Sequence, residues 1–210
     1  MKMIRLTPAC KDYPWGGALL REKYGVNSDL EPLAEAWVLS CHPDGESIIA
    51  EGAHQGQSLS GYAAHYGTNF WGTKCEEFNS LPLLIKLIDA KTNLSIQVHP
   101  DNAYALEHEH QYGKTEMWYV MEAAPDAYLY YGLKKSVTKS ELSRSITDGT
   151  IIDLLRAVPV HAGDLFFIPA GTIHAICGGT VIAEIQQSSN VTYRVFDYDR
   201  IGKDGKKRPL

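Results

Sequence analysis

The sequence predicts an all-β protein, and three observations carry that expectation. Ten short segments rich in aliphatic and aromatic residues are spread along the 210 residues. Gly and Pro punctuate the gaps between them, and helical patterns are confined to three places. Many short strands with turn residues between them are the mark of a sandwich or barrel.

The strand segments, in order, are residues 36–40, 46–50, 83–89, 94–99, 116–122, 127–131, 164–168, 175–177, 181–186 and 192–198. Each is a short apolar or alternating run bounded by turn residues. The segment 94–99 alternates cleanly. Residues two apart in a strand share a face, so Ser95, Gln97 and His99 fall on one side and Leu94, Ile96 and Val98 on the other. Lys114 and Glu116 likewise share a face. The segment 164–168 follows Gly163 and ends at the turn signal Pro169-Ala170-Gly171. Of the helical stretches, Ser58 is placed to cap a short helix through His65, and residues 102–109 form a short helix after Pro100 and Asp101. Thr138 with Glu141 has capping-box character, and Thr150 with Asp153 repeats the pattern, so 138–157 reads as a helical excursion. The basic, turn-rich tail 200–210 reads as an exposed hairpin or a frayed end.

Composition narrows the function classes. The chain is 44% hydrophobic and 21% charged, ordinary for a globular protein, and its length suits one domain. A net charge of −5 argues against a nucleic-acid partner, which needs a basic face. A small phosphorylated ligand needs only a few local cations and stays open. The cysteines, Cys10, Cys41, Cys75 and Cys177, form no Cys-x-x-Cys pair, which reads as free thiols in a reducing, cytoplasmic setting. Residues 1–7 lack the apolar core of a signal peptide, and no apolar run is long enough to span a membrane. Oligomeric state is left open.

Four side chains stand out as metal donors: Gln97, His99, Glu116 and His174. The polar face Ser95-Gln97-His99 holds no Lys or Glu, which suits a cavity lining better than open surface. A Glu facing a cavity needs a partner, because burying a lone carboxylate is expensive, and a metal or the nearby Lys114 would serve. A lone His in a strand is more often structural than a ligand. The conjunction of two same-face donors, a Lys/Glu pair and a turn-placed His favours a metal site. The remaining histidines, His42, His54, His65, His108, His110 and His161, read as surface or structural. Lys86, after Leu83-Leu84-Ile85, is either a cavity cation or an edge residue.

From Gly163 to His174 the pattern resembles the second motif of the cupin superfamily, small jelly-roll barrels that hold a metal inside; it departs at Gly178, where cupins often carry Asn. Four longer stretches resemble type I mannose-6-phosphate isomerases, the short bacterial form above all. They are residues 94–101, 113–119, 169–175 and 184–194, supported by Tyr13-Pro14-Trp15-Gly16-Gly17 and Ala34-Glu35-Ala36-Trp37. The resemblance implies a cupin-type jelly-roll barrel with short helical insertions. It also implies zinc-dependent interconversion of mannose 6-phosphate and fructose 6-phosphate through an enediol. Gln97, His99, Glu116 and His174 would be the ligands of one Zn2+ per chain. Arg194 matches the family's catalytic arginine, and Ser95, Lys114 and Glu184 match positions lining the same pocket. Chemistry then suggests roles. Arg194 is too basic to act as a base and would stabilise the enediolate or bind phosphate. Lys114 would bind phosphate or assist ring opening, and Glu184 would transfer the proton unless it serves as a structural partner of Arg194. Lys86 joins Ser95 and Lys114 as a substrate-binding candidate. The short bacterial members run considerably longer, with a further β domain, so residues 1–210 read as the single cupin catalytic domain without that region. Two other readings stay open: a metal-dependent cupin oxygenase, and a non-catalytic sugar-phosphate-binding module.

Overall fold

The computed structural model describes residues 3–78, 80–202 and 205–210. Met1, Lys2, Lys203 and Asp204, which belong to the N-terminal stretch and the basic tail considered above, lie outside the described residues, as does Asn79. The strands are β1 (Leu6–Thr7), β2 (Ala9–Lys11), β3 (Glu35–Leu39), β4 (Ile48–Ile49), β5 (Leu83–Ala90), β6 (Ile96–Val98), β7 (Glu116–Ala123), β8 (Tyr128–Leu133), β9 (Leu155–Pro159), β10 (Leu165–Ile168), β11 (His174–Ile176), β12 (Thr180–Gln187) and β13 (Tyr193–Phe196). The helices are α1 (Leu19–Glu22), α2 (Leu59–Tyr66), α3 (Asn102–His108) and α4 (Lys139–Thr147), with 3-10 turns at Thr68–Trp71, Thr73–Cys75 and Ile151–Leu154.

The predicted all-β class holds, and all ten expected strand segments contain a strand. A six-stranded sheet runs β10-β7-β12-β5-β3-β2 and a five-stranded sheet runs β13-β6-β11-β8-β9, with β1 and β4 paired apart. Every pairing between named strands is antiparallel. The main core lies between the two large sheets: Ile88, Trp118, Val120, Ile168 and Ile182 from one meet Leu129 and Ile176 from the other. A second cluster packs α4 and the Ile151–Leu154 turn on the back of the five-stranded sheet, through Leu142, Ile146, Ile151 and Leu155 against Ile96, Tyr130 and Ala175.

The three expected helices form. Ser58 accepts from Gly61 N–H, Asp101 accepts from Tyr104 N–H, and Thr138 and Glu141 make a full capping box. Two expectations need correction. The helical excursion ends at Leu154, because residues 155–159 add β9 to the sheet edge rather than continuing the helix. Leu94 does not sit with Ile96: it precedes β6, its N–H bonds Ile176 O, and its side chain joins the inter-sheet core while Ile96 faces α4's side. The tail forms a hairpin, with Ile201 bridged to Lys207 and Arg208 N–H donating to Arg200 O.

Candidate metal centre and its cavity

Strand register places the site. In the six-stranded sheet Trp37, Lys86, Glu184 and Trp118 stand directly opposite one another on β3, β5, β12 and β7. In the five-stranded sheet the corresponding row is Arg194, Gln97, His174 and Tyr131, on β13, β6, β11 and β8. Directly opposed residues share a face with Cβ atoms about 5 Å apart. Gln97 and His174 are therefore neighbours by register, although they lie far apart in sequence.

His99, Glu116 and His174 offer ligand atoms that all lie within 4.8 Å of one another, and all three residues are buried. The imidazole tautomers are fixed by the main chain. His99 Nδ1 lies 2.9 Å from Val191 O and His174 Nδ1 lies 2.8 Å from Thr172 O. A carbonyl only accepts, so each Nδ1 carries the proton and each Nε2 keeps its lone pair. His174 Nε2 and Glu116 Oε1, 3.3 Å apart, are buried without a hydrogen-bond partner. Orphaned lone pairs facing each other in a buried pocket are costly unless a cation joins them. The ammonium of Lys114 supplies part of that charge, donating to Glu116 Oε2 and, at 3.0 Å, to His99 Nε2. Two imidazoles whose other nitrogens are pinned by carbonyls, beside a carboxylate, fit a divalent metal in donor type and orientation.

Burial sets the electrostatics. His174 is depressed to about 4, first by burial and then by Lys114, and His99 is lowered for the same reasons. Glu116 is pushed up to about 7 by burial and then by Glu184. Glu184 moves the other way: burial opposes its ionisation, but Lys114 and Lys86 outweigh that and hold it below the usual carboxylate value. Burial pulls Lys86 down, yet Glu35 and Glu184 win and its pKa is raised. The result is a buried chain of alternating charge, with Lys86 3.8 Å from Glu35 and 3.5 Å from Glu184, and Lys114 3.8 Å from Glu184. Trp37 and Trp118 each donate an indole N–H into it, to Glu35 at 2.6 Å and Glu184 at 2.9 Å.

This chain of charge borders a cavity of about 190 Å³. Ser95, Gln97, Lys86, Lys114, Glu184 and Arg194, all singled out in the sequence, line it. The metal candidates His99, Glu116 and His174 adjoin it through Lys114. Lys86 is thus a cavity cation, not an edge residue, and Glu184 pairs with lysines rather than with Arg194. His42 is buried and structural, its Nδ1 accepting from Asp44 N–H. Sequence reasoning missed Glu35, Trp37, Trp118 and Arg208. An available signal for Trp118 was its spacing of two from Glu116, which puts both on one face. Glu35, an acid between Ala34 and Ala36 ahead of a Trp, was a weaker one.

Comparison with known proteins agrees with this geometry. The family described as phosphomannose isomerase type I, catalytic domain, matches residues 3–149. The chain is 46% identical over 196 residues to a mannose-6-phosphate isomerase of Streptococcus mutans, covering 93% of this chain and 61% of that protein. It is 40% identical over 204 residues to the mannose-6-phosphate isomerase ManA of Bacillus subtilis, covering 97% and 63%. A crystal structure of the mannose 6-phosphate isomerase from Bacillus subtilis superposes with a TM-score of 0.91 at 40% identity, covering 99% of this chain and 65% of that one. The chain therefore spans somewhat under two thirds of these relatives. The match across residues 3–149, with 46% identity over 93% of the chain to the Streptococcus mutans enzyme, places this chain in the type I phosphomannose isomerase family.

Proposed function

We propose that the cavity interconverts mannose 6-phosphate and fructose 6-phosphate, with one zinc ion held by Gln97, His99, Glu116 and His174. The observation that carries the reading is the unpartnered pair His174 Nε2 and Glu116 Oε1, buried beside a cavity lined by Lys86, Lys114 and Arg194. When bound, the metal supplies Lewis acidity toward sugar oxygens. Gln97 enters the ligand set because it stands opposite His174 on the same face.

The chain's own residues divide the remaining work. Aldose–ketose isomerisation moves a proton between C1 and C2 through an enediol, and negative charge develops on the carbonyl oxygen. Arg194, at the end of the Gln97 row and lining the cavity, is a fixed cation too basic to accept a proton, placed to stabilise that charge or to bind the phosphate. Glu184 is ionised and buried, so it is the carboxylate available to carry the proton, oriented by the Trp118 indole. Lys114 bridges the metal cluster and Glu184, and is placed to assist ring opening or bind the phosphate. Ser95 and Lys86 contact the substrate from the cavity wall. The setting is cytoplasmic metabolism, in keeping with the free cysteines; among the described residues no helix is long and apolar enough to cross a membrane.

A coupled assay tests the reading. Zinc-loaded protein given fructose 6-phosphate should produce mannose 6-phosphate, and chelation should abolish turnover with zinc restoring it. Binding of fructose 6-phosphate without turnover would mark a non-catalytic sugar-phosphate module instead.

A further inference from the structure

The deep end of the cavity is charge-balanced, while its mouth is not. Deep inside, the two lining cations Lys86 and Lys114 are matched by the two lining carboxylates Glu35 and Glu184. At the mouth the lining residues are Asn190, Thr192, Arg194 and Arg208, two guanidiniums with neutral polar neighbours. Arg208 reaches this position because the tail folds back as a hairpin. Arg208 N–H bonds Arg200 O, and Arg194 Nη1 donates to Pro209 O at 3.4 Å. Asp197 sits beneath, 96% buried, and holds Arg200 at 3.1 Å and Arg208 at 3.2 Å. Asp197 therefore compensates two arginines at once.

Resting on the isomerase reading, we propose that Arg208 is a substrate-binding residue that pairs with Arg194 to receive the phosphate of the sugar phosphate at the cavity mouth. Three features support this. First, a guanidinium has five N–H donors in a planar fork, and the pair with Asp197 engages only one edge of it. Arg208 Nη1 is buried against the Asp197 carboxylate at 3.2 Å, while the residue also lines the cavity, so the ion pair and the cavity share one side chain. Second, two like charges on one small cavity repel, and an anion between them relieves the repulsion. Arg194 registers it: its pKa is lowered by burial and next by the Arg208 charge. Third, the hairpin ties the two arginines together through Pro209 O, so Arg208 is held at the mouth rather than sampling solvent. The assignment separates labour by depth, with the phosphate at the arginine mouth and the reacting carbons toward Glu184 and the metal cluster. Lys114 is then left for the chemistry.

The test is calorimetric and needs no turnover. Fructose 6-phosphate is titrated into zinc-loaded wild-type and Arg208→Gln proteins, with fructose as the uncharged control. The expected result is about 10–100-fold weaker binding of fructose 6-phosphate to Arg208→Gln, the size of a lost charge-assisted pair. Fructose binding and zinc stoichiometry should not change. Arg208→Lys, which keeps the charge and loses the fork, should recover part of the loss. Equal affinity of wild type and Arg208→Gln for fructose 6-phosphate overturns the assignment and leaves the isomerase reading standing. A wild type that binds no fructose 6-phosphate at all overturns both. Should the glutamine variant not fold, the Arg208 Nε–H resonance of the wild type asks the same question. It should shift on adding fructose 6-phosphate but not fructose, and an unmoved resonance overturns the proposal.

Discussion

His174 shows how burial and one main-chain hydrogen bond leave a side chain with a lone pair suited to a metal. It is fully buried, its Nδ1–H is held by the Thr172 carbonyl, and its Nε2 faces a carboxylate oxygen that has no other partner. Replacing His174 with Ala should remove stoichiometric zinc after dialysis, read by elemental analysis; zinc retained one-to-one would sink the ligand assignment. Lys86 is the second residue whose loss is diagnostic. It is 95% buried between Glu35 and Glu184, and no other cation lies within ion-pair distance of Glu35 among the described residues. Lys86→Met should cost about 3–5 kcal/mol in urea unfolding, because it strands buried carboxylates. Adding Glu184→Gln should recover part of that cost. A Lys86→Met protein as stable as wild type would show that water or a proton neutralises the pair. The buried group of His99, Glu116 and His174 was legible in the sequence as metal-ligand candidates because alternation and turn placement are local. The roles of Lys86 and Glu184 were not, because charge pairing across strands depends on register.

At the element scale, the legible pieces are those whose signal is local. Thr138 and Glu141 form the capping box their spacing predicts. Thr138→Ala should lower stability by about 0.5–2 kcal/mol in thermal or urea unfolding, the range measured for lost N-caps; no change would mean α4 is held by its packing alone. β9 was not legible. Its Leu-Arg-Ala-Val-Pro sequence has no alternation and follows Thr150 and Asp153, whose spacing suggests a helix cap, although in the structure Thr150 makes no side-chain cap bond. Pairing with β8 along the free edge of the sheet overrides that preference, and an edge position also tolerates Pro159. Gly113 illustrates a constraint of close approach. A Cβ there would overlap the backbone of Asp101 and Asn102, where the helix α3 cap meets the segment leading into β7. Gly113→Ala must push that segment away and shift Lys114 beside it. The expected result is a loss of about 1–3 kcal/mol and weaker zinc binding together. Lost stability with unchanged zinc affinity would separate the loop from the metal centre.

For the whole molecule, the buried centre couples folding to pH and to metal. Take the metal-stripped protein. His99 and His174 have folded pKa values below their unfolded value near 6.5, so the unfolded chain binds protons there that the folded chain refuses until about pH 4 at His174. Their contribution is present above about pH 6.5 and is lost as pH falls. Glu116 has a folded value raised to about 7, so its contribution runs the other way, present at low pH and lost as pH rises toward 7. Two histidines against one carboxyl leave a net uptake of about one proton on unfolding. Stability should therefore fall by about 1.4 kcal/mol per unit on acidification from pH 6.5 toward 4.5. Urea unfolding of stripped protein across that window checks the sign, and a protein that gains stability on acidification contradicts it. On the proposed function, added zinc should raise the unfolding midpoint throughout, because a ligand that binds only the folded chain stabilises it. The sequence by itself determined the β class, most strands and three helix caps, and singled out His99, Glu116 and His174 as candidates, because alternation, turns and capping act over a few residues. Only the tertiary structure decided that Gln97 lies opposite His174, that Lys86 lies opposite Glu184 between two tryptophans, and that the tail brings Arg208 to the cavity. These are contacts between distant segments, set by antiparallel register and by packing of one sheet on the other, and no local pattern encodes them.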